Sequence, residues 1–190
     1  MPATVKGSVV TAAYDYLRAT YGEEVWKRML LRLSYEDQDL VKASSRTLAY
    51  PVAVDGRVLA AFVAEQFEGN RMLAERELRR GGSSQADTML HGVFSIFARL
   101  ASPKAAFSRA GSIITSVYTE VDSETEAHAD GTGGIIRIHG LGESSFVAPW
   151  QCGWMERALV HFGSSSPRVI ERAWQAGRDA SDELVYEVTF

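Results

Sequence analysis

The stretch SVYTEVDSETEAHADGTGGIIRIH, Ser116–His139, decides the fold class. Upstream of it, apolar residues recur every three to four positions; inside it they alternate. Val117, Thr119 and Val121 oppose Tyr118, Glu120 and Asp122, which predicts a half-exposed strand over Ser116–Ser123. Asp130-Gly131-Thr132-Gly133-Gly134 reads as a turn. Ile135–His139 is the second strand, with Ile136 and Ile138 on one face, so the two form an antiparallel hairpin.

Downstream, Pro149–Phe162 returns to helical spacing and offers Trp150, Met155, Ala158, Leu159 and Phe162 to a core. Arg168–Gln175 and Glu183–Phe190 read as two further strands around a Gly177-Arg178-Asp179 turn, with Leu184, Tyr186, Val188 and Phe190 on one face of the last. Upstream, Val5, Val9, Ala13, Leu17 and Tyr21 make an i, i+4 row that ends at Gly22, where a C-terminal cap belongs. Val25, Trp26, Met29, Leu30 and Leu33 face a second helix, and Ser34 with Asp37 caps a short charged third. Tyr50-Pro51 is extended, because proline disfavours helix in the residue before it. Helices follow at Gly56–Phe67 and Arg71–Arg79, then a break at Gly81-Gly82-Ser83-Ser84. A helix over Gln85–Leu100 and a shorter one behind Ser102-Pro103 close the helical half. The pattern predicts one α+β domain over residues 1–190. Residues 1–112 are mainly helical, and residues 113–190 hold a four-stranded antiparallel sheet with a connecting helix.

With 190 residues, 46% hydrophobic and 23% charged, the composition excludes a disordered chain. No apolar run approaches the roughly 18 residues of a membrane helix. The first residues lack a basic segment followed by an apolar one, so a cytoplasmic location is expected. The net charge of −4 argues against nucleic acid and anionic membrane as partners.

The residues able to carry chemistry do not converge. Cys152 is the only cysteine, which excludes a disulfide framework; His161 lies nine positions on along the same helix, too far to activate it. Cys152 with Glu171 supplies at most two metal ligands. The glycine-rich turn joins two strands and lacks the phosphate-loop lysine. Glu120, Asp122, Glu124, Glu126 and His128 alternate onto one strand face, read as a solvated face. Arg76, Arg79 and Arg80 suit a helix C-terminus. No catalytic residues and no metal site are expected, and the chain is read as a non-enzyme.

The opening Val5-Lys6-Gly7-Ser8-Val9-Val10 and Tyr21-Gly22-Glu23-Glu24-Val25-Trp26, with the hairpin–helix–hairpin end, resemble haem nitric-oxide/oxygen-binding (H-NOX) domains. The end also resembles the related four-vinyl-reductase type of sensory domain. Tyr50-Pro51 and Ala101-Ser102-Pro103 resemble a paralogous family of myxobacterial proteins. The resemblance implies a sensory α+β domain. In the haem family an iron-ligating histidine precedes a proline turn by about a dozen residues, and His91 stands twelve before Pro103. The helical wheel sets His91 off the Met89, Val93, Phe97 stripe, beside Ser95. The family's propionate-binding Tyr-x-Ser-x-Arg motif falls on Tyr118-Thr119-Glu120-Val121-Asp122, where a carboxylate replaces the guanidinium. No cofactor is therefore expected, with haem on His91 as the alternative. In such a fold a ligand sits between the helical part and the sheet, walled by Phe94, Phe97, Tyr118, Trp150 and Trp154, unless these rings fill the space themselves. The expected function is a sensory or protein-interaction domain. Its partner is a small apolar ligand or a protein, a second copy in a homodimer included.

Overall fold

The computed structural model describes residues 2–90, 102–141, 146–176 and 183–190. A short strand β1 (Thr4–Lys6) opens the chain, followed by helices α1 (Gly7–Tyr21), α2 (Glu23–Leu30) and α3 (Tyr35–Lys42). Ser34 caps α3 by accepting a hydrogen bond from the Asp37 amide at 3.1 Å. Strand β2 (Ala49–Pro51) leads straight into α4 (Val52–Phe67), whose face of Val52, Val58, Leu59, Phe62 and Val63 is buried. Then come α5 (Arg71–Leu90), α6 (Pro103–Phe107) and α7 (Ala110–Val117), the second of them capped by Ser102. The remainder is β3 (Tyr118–Thr119), β4 (Asp122–Ala127), β5 (Gly133–His139), α8 (Val147–His161), β6 (Arg168–Glu171), α9 (Arg172–Gln175) and β7 (Glu183–Thr189). No described helix is long and apolar enough to cross a membrane.

Two antiparallel sheets organise these elements. The expected sheet is present with strand order β4-β5-β7-β6; a second, three-stranded sheet runs β2-β1-β3. In the small sheet Val5 pairs with Tyr50 on one side and Tyr118 on the other, so the three side chains share one face. Val5 and Tyr50 are buried there, and the core closes over them with Val10, Tyr14, Phe62, Ile136, Ile138 and Tyr186.

Four expectations need correction. Val5 belongs to a strand, not to the first turn of a helix, because β2 and β3 both pair with it. Ser116–Ser123 is not one strand. Ser116 and Val117 end α7, Tyr118 and Thr119 pair with β1, and the chain then turns at Glu120, which has a left-handed φ of 56°. The hairpin partner of β5 is Asp122–Ala127 instead, in register from Asp122↔His139 to Ala127↔Gly134. Alternation marks residues that can form a strand; which partner they find is a tertiary matter. Arg168–Gln175 divides after Glu171, whose buried carboxylate accepts the Trp174 amide at 2.6 Å and starts the single turn of α9.

The fourth correction concerns Gly81-Gly82-Ser83-Ser84, which lies inside α5 and not at a break. A Cβ on Gly81 would overlap the Trp150 ring, one on Gly82 the Trp150 carbonyl, and one on Gly153 the Arg79 carbonyl. These glycines let α5 and α8 approach backbone to backbone. Ser83 fastens the seam by donating to the Arg79 and Gly153 carbonyls at 3.0 and 3.1 Å. Close packing recovers what glycine loses in helix propensity, about 1 kcal/mol each.

Candidate functional site

His91, Phe94 and Phe97 lie outside the described residues. Of the remaining expected walls, the structure places Trp150 and Trp154 together against α5, one helical turn apart on α8. Trp150 is 5% exposed; its Nε1 donates to Gln85 Oε1 at 3.0 Å, and its ring meets Tyr16 edge-on at 5.9 Å. Gln85 in turn donates to the Val9 carbonyl at 2.7 Å, so one buried amide ties α5, α8 and α1. Trp154 packs against Ala86, Leu90 and Ala158. These two rings occupy their space as a helix-helix seam.

Tyr118 belongs to a different group. Gln151 is about 100° further round α8 than Trp150, and its Nε2 donates to the Tyr118 hydroxyl at 3.0 Å. The Gln151 Oε1 accepts from the Tyr186 hydroxyl on β7. A polar chain thus runs from the large sheet through α8 to the small sheet.

Asp55, in the first turn of α4, acts on Tyr118 through its charge. Its Oδ1 is buried without a hydrogen-bond partner among the described residues. Burial pushes its carboxyl up to about 7. Its charge reaches two tyrosines: burial first and Asp55 second raise the Tyr14 hydroxyl, while burial, with a smaller push from Asp55, takes Tyr118 up to about 12. Asp55 and Tyr118 are both half-buried.

Cys152 is buried, and burial takes its thiol up to about 12. Among the described residues no group of three or more His, Cys, Asp or Glu is placed to hold a metal ion. The Glu124 and Glu126 carboxylates are exposed on β4, at the sheet edge.

Haem is the cofactor that the sequence resemblance implies. Asp122, a carboxylate at the place where the resemblance implies a guanidinium, is exposed on β4. Glu120 is exposed at its turn, and Thr119 is spent on Thr4, oxygen to oxygen at 2.6 Å. Among the described residues no basic group lowers the Asp55 carboxyl. Of the motif at residues 118–122 the Tyr118 hydroxyl can donate to a carboxylate, and none of its described residues offers a cation.

The sequence matches no family model and no curated protein. The coordinates match solved H-NOX domains. An unliganded Fe(II) H-NOX from K. algicida aligns with TM-score 0.69 at 12% identity, over 97% of this chain and 95% of that one. A variant H-NOX of T. tengcongensis aligns with TM-score 0.66 at 17% identity, over 97% of both chains. An S. oneidensis H-NOX in its Fe(II)NO ligation state aligns with TM-score 0.64 at 11% identity, over 96% and 97%. Identities this low establish the architecture alone. The chain has the H-NOX α+β fold.

Proposed function

We propose that this chain is a non-enzymatic sensory domain that holds a small organic ligand, other than haem, in the interior between its helical part and its sheets. The observation that supports this reading is hydrogen-bonding capacity left over in the half-buried residues Asp55 and Tyr118: Asp55 Oδ1 has no partner among the described residues, and the Tyr118 hydroxyl, which accepts from Gln151, can still donate. Apolar walls with a few convergent polar groups are the ordinary composition of a small-molecule site. Tyr118 on β3 bonds to Gln151 on α8, so an occupant beside them would touch both halves of the chain and could bias their packing. A protein partner would read that change.

Thermal shift with a broad panel of small aromatic and aliphatic compounds tests the reading, since a ligand of the native state raises the midpoint. A compound that raises it in the wild type and not in Tyr118→Phe supports the site. A panel without any such compound overturns it.

The solved H-NOX neighbours favour haem as a second reading, because several are in Fe(II) states. Haem reconstitution followed by desalting separates the two. A retained Soret band, lost in His91→Ala, would replace the first reading with a gas sensor.

A further inference from the structure

We propose that the open edge of strand β4 receives an extended, lysine- or arginine-bearing segment of a partner protein, which joins the large sheet as a new edge strand. This surface is independent of the interior ligand site.

The strand order β4-β5-β7-β6 leaves the sheet with two edges, β4 and β6. Backbone groups that lack a neighbouring strand need another partner or water. The β6 edge is closed at Val169, whose amide is taken by Glu156 and whose carbonyl is taken by Arg79. The β4 edge is open. His128 donates to the Gly133 carbonyl at 2.9 Å, in the same register that runs from Asp122↔His139 to Ala127↔Gly134. Hydrogen-bonded pairs alternate along an antiparallel ladder. Asp122, Glu124 and Glu126 therefore bond to β5, while Ser123, Thr125 and Ala127 turn their N–H and C=O outward. Helix α7 is close at Ser123, whose hydroxyl donates to the Gly111 carbonyl at 3.2 Å. Past that point Glu124, Thr125, Glu126 and Ala127 are all exposed. Among the described residues nothing bonds the outward amides of Thr125 and Ala127. A strand laid along this edge pairs with them, the mode by which extended peptides join open sheet edges.

The carboxylates do not make the site; they select its occupant. Asp122, Glu124 and Glu126 share one face of β4 and are exposed. Among the described residues the only cation paired with them is Arg137 on β5, 3.2 Å from Glu126. The face is left with net negative charge. A second copy is a poor occupant. A two-fold axis through Thr125 would set Glu124 opposite Glu126, and one through Glu126 would set that residue opposite itself. Like charges directly opposite are destabilising. The charges that guard this edge against self-pairing attract a strand with Lys or Arg at every second position.

Fluorescence anisotropy on the full chain tests the proposal. The probe is a labelled, end-capped peptide of alternating lysine and threonine, against the same peptide with glutamate for lysine. The lysine peptide should bind at least about tenfold more tightly, because several cross-strand charge pairs change sign. Thr125→Pro should abolish binding: it removes an outward amide and leaves the β5 ladder whole, a place where an edge strand tolerates proline. Thr125→Ala should retain binding, and Glu124→Lys with Glu126→Lys should reverse the preference. N-methylated peptides provide the same check on the unaltered protein. Methylating one alternate set of peptide amides should abolish binding and methylating the other should not, because only one side of an added strand faces β4. Binding of neither peptide, equal binding of both, binding that survives in folded Thr125→Pro, or equal effects of the two methylated sets overturns the proposal. A wild-type dimer in sedimentation that Thr125→Pro dissociates would assign the edge to a second copy and overturn it as well.

Discussion

Gly153 on α8 sits so close to Arg79 on α5 that a Cβ on the glycine would overlap the Arg79 carbonyl oxygen. The same Arg79 side chain donates to Glu156 at 3.0 Å and to the Val169 carbonyl at 3.1 Å, while Glu156 accepts the Val169 amide at 2.9 Å. The glycine contact thus sets the distance at which an ion pair can cap the backbone of the edge strand β6. Gly153→Ala should therefore destabilise the protein by about 3 kcal/mol, the upper end for overpacking, because backbone lies on both sides. Urea melts check this; a loss of only a few tenths of a kcal/mol would contradict the seam.

The edge cap makes its own prediction. Glu156→Ala strands the Val169 amide and one side of the Arg79 guanidinium, and should cost about 2 kcal/mol. Glu156→Gln keeps an acceptor for the amide and should cost less. Equal midpoints for the two variants would show that the carboxamide cannot replace the carboxylate as the cap.

Asp55 gives a pH dependence with a defined sign. Its carboxyl titrates at about 7 in the folded chain and near 4 when unfolded, so the folded state binds the proton more firmly. The stability this contributes is complete below about pH 4 and is lost as the pH rises through 7, by at most about 4 kcal/mol. Asp37 and Glu65 act in the opposite sense: hydrogen bonds from Arg57, and from Arg28 and Arg32, hold them below the usual carboxylate range. Their contributions are lost only in more acid solution, outside this window. Urea midpoints should fall between pH 5 and pH 8 in the wild type and fall much less in Asp55→Asn. A slope unchanged by the substitution would assign it elsewhere.

Trp150 and Tyr118 should separate packing from binding. Trp150→Ala empties a space enclosed by Gly81, Tyr16 and Gln85, and should cost about 3–5 kcal/mol. Tyr118→Phe removes one hydroxyl at an accessible position and should cost about 1 kcal/mol while abolishing ligand-induced stabilisation. A large loss of stability in both variants would reduce Tyr118 to core packing.

Cys152 should be silent. Its buried thiol, taken up to about 12, should not react with a thiol reagent at pH 8 in the folded protein and should react promptly in denaturant. Rapid labelling of the native chain would show that the seam around it opens.

What the sequence by itself determined was local. The Ser34 cap over Asp37, the strand alternation at Ile136 and Ile138 and at Leu184, Tyr186 and Val188, and the helix through Trp150 and Leu159 each follow from side chains within a turn or two of one another. Tyr118 entered through a motif resemblance. The tertiary structure decided whatever depends on distance between elements. Gly81-Gly82-Ser83-Ser84 has the composition of a break, and only the approach of α8 makes it a seam. Tyr118 and Thr119 alternate like the residues after them, and only β1 claims them for a second sheet. Asp55 was legible in part: it precedes Val58, Leu59 and Phe62 at helical spacing, an acid on an apolar stripe. An acid in a first helical turn is ordinarily there for the helix dipole. The burial of its Oδ1 depends on what packs against α4, and periodicity along one chain segment carries no information about that packing.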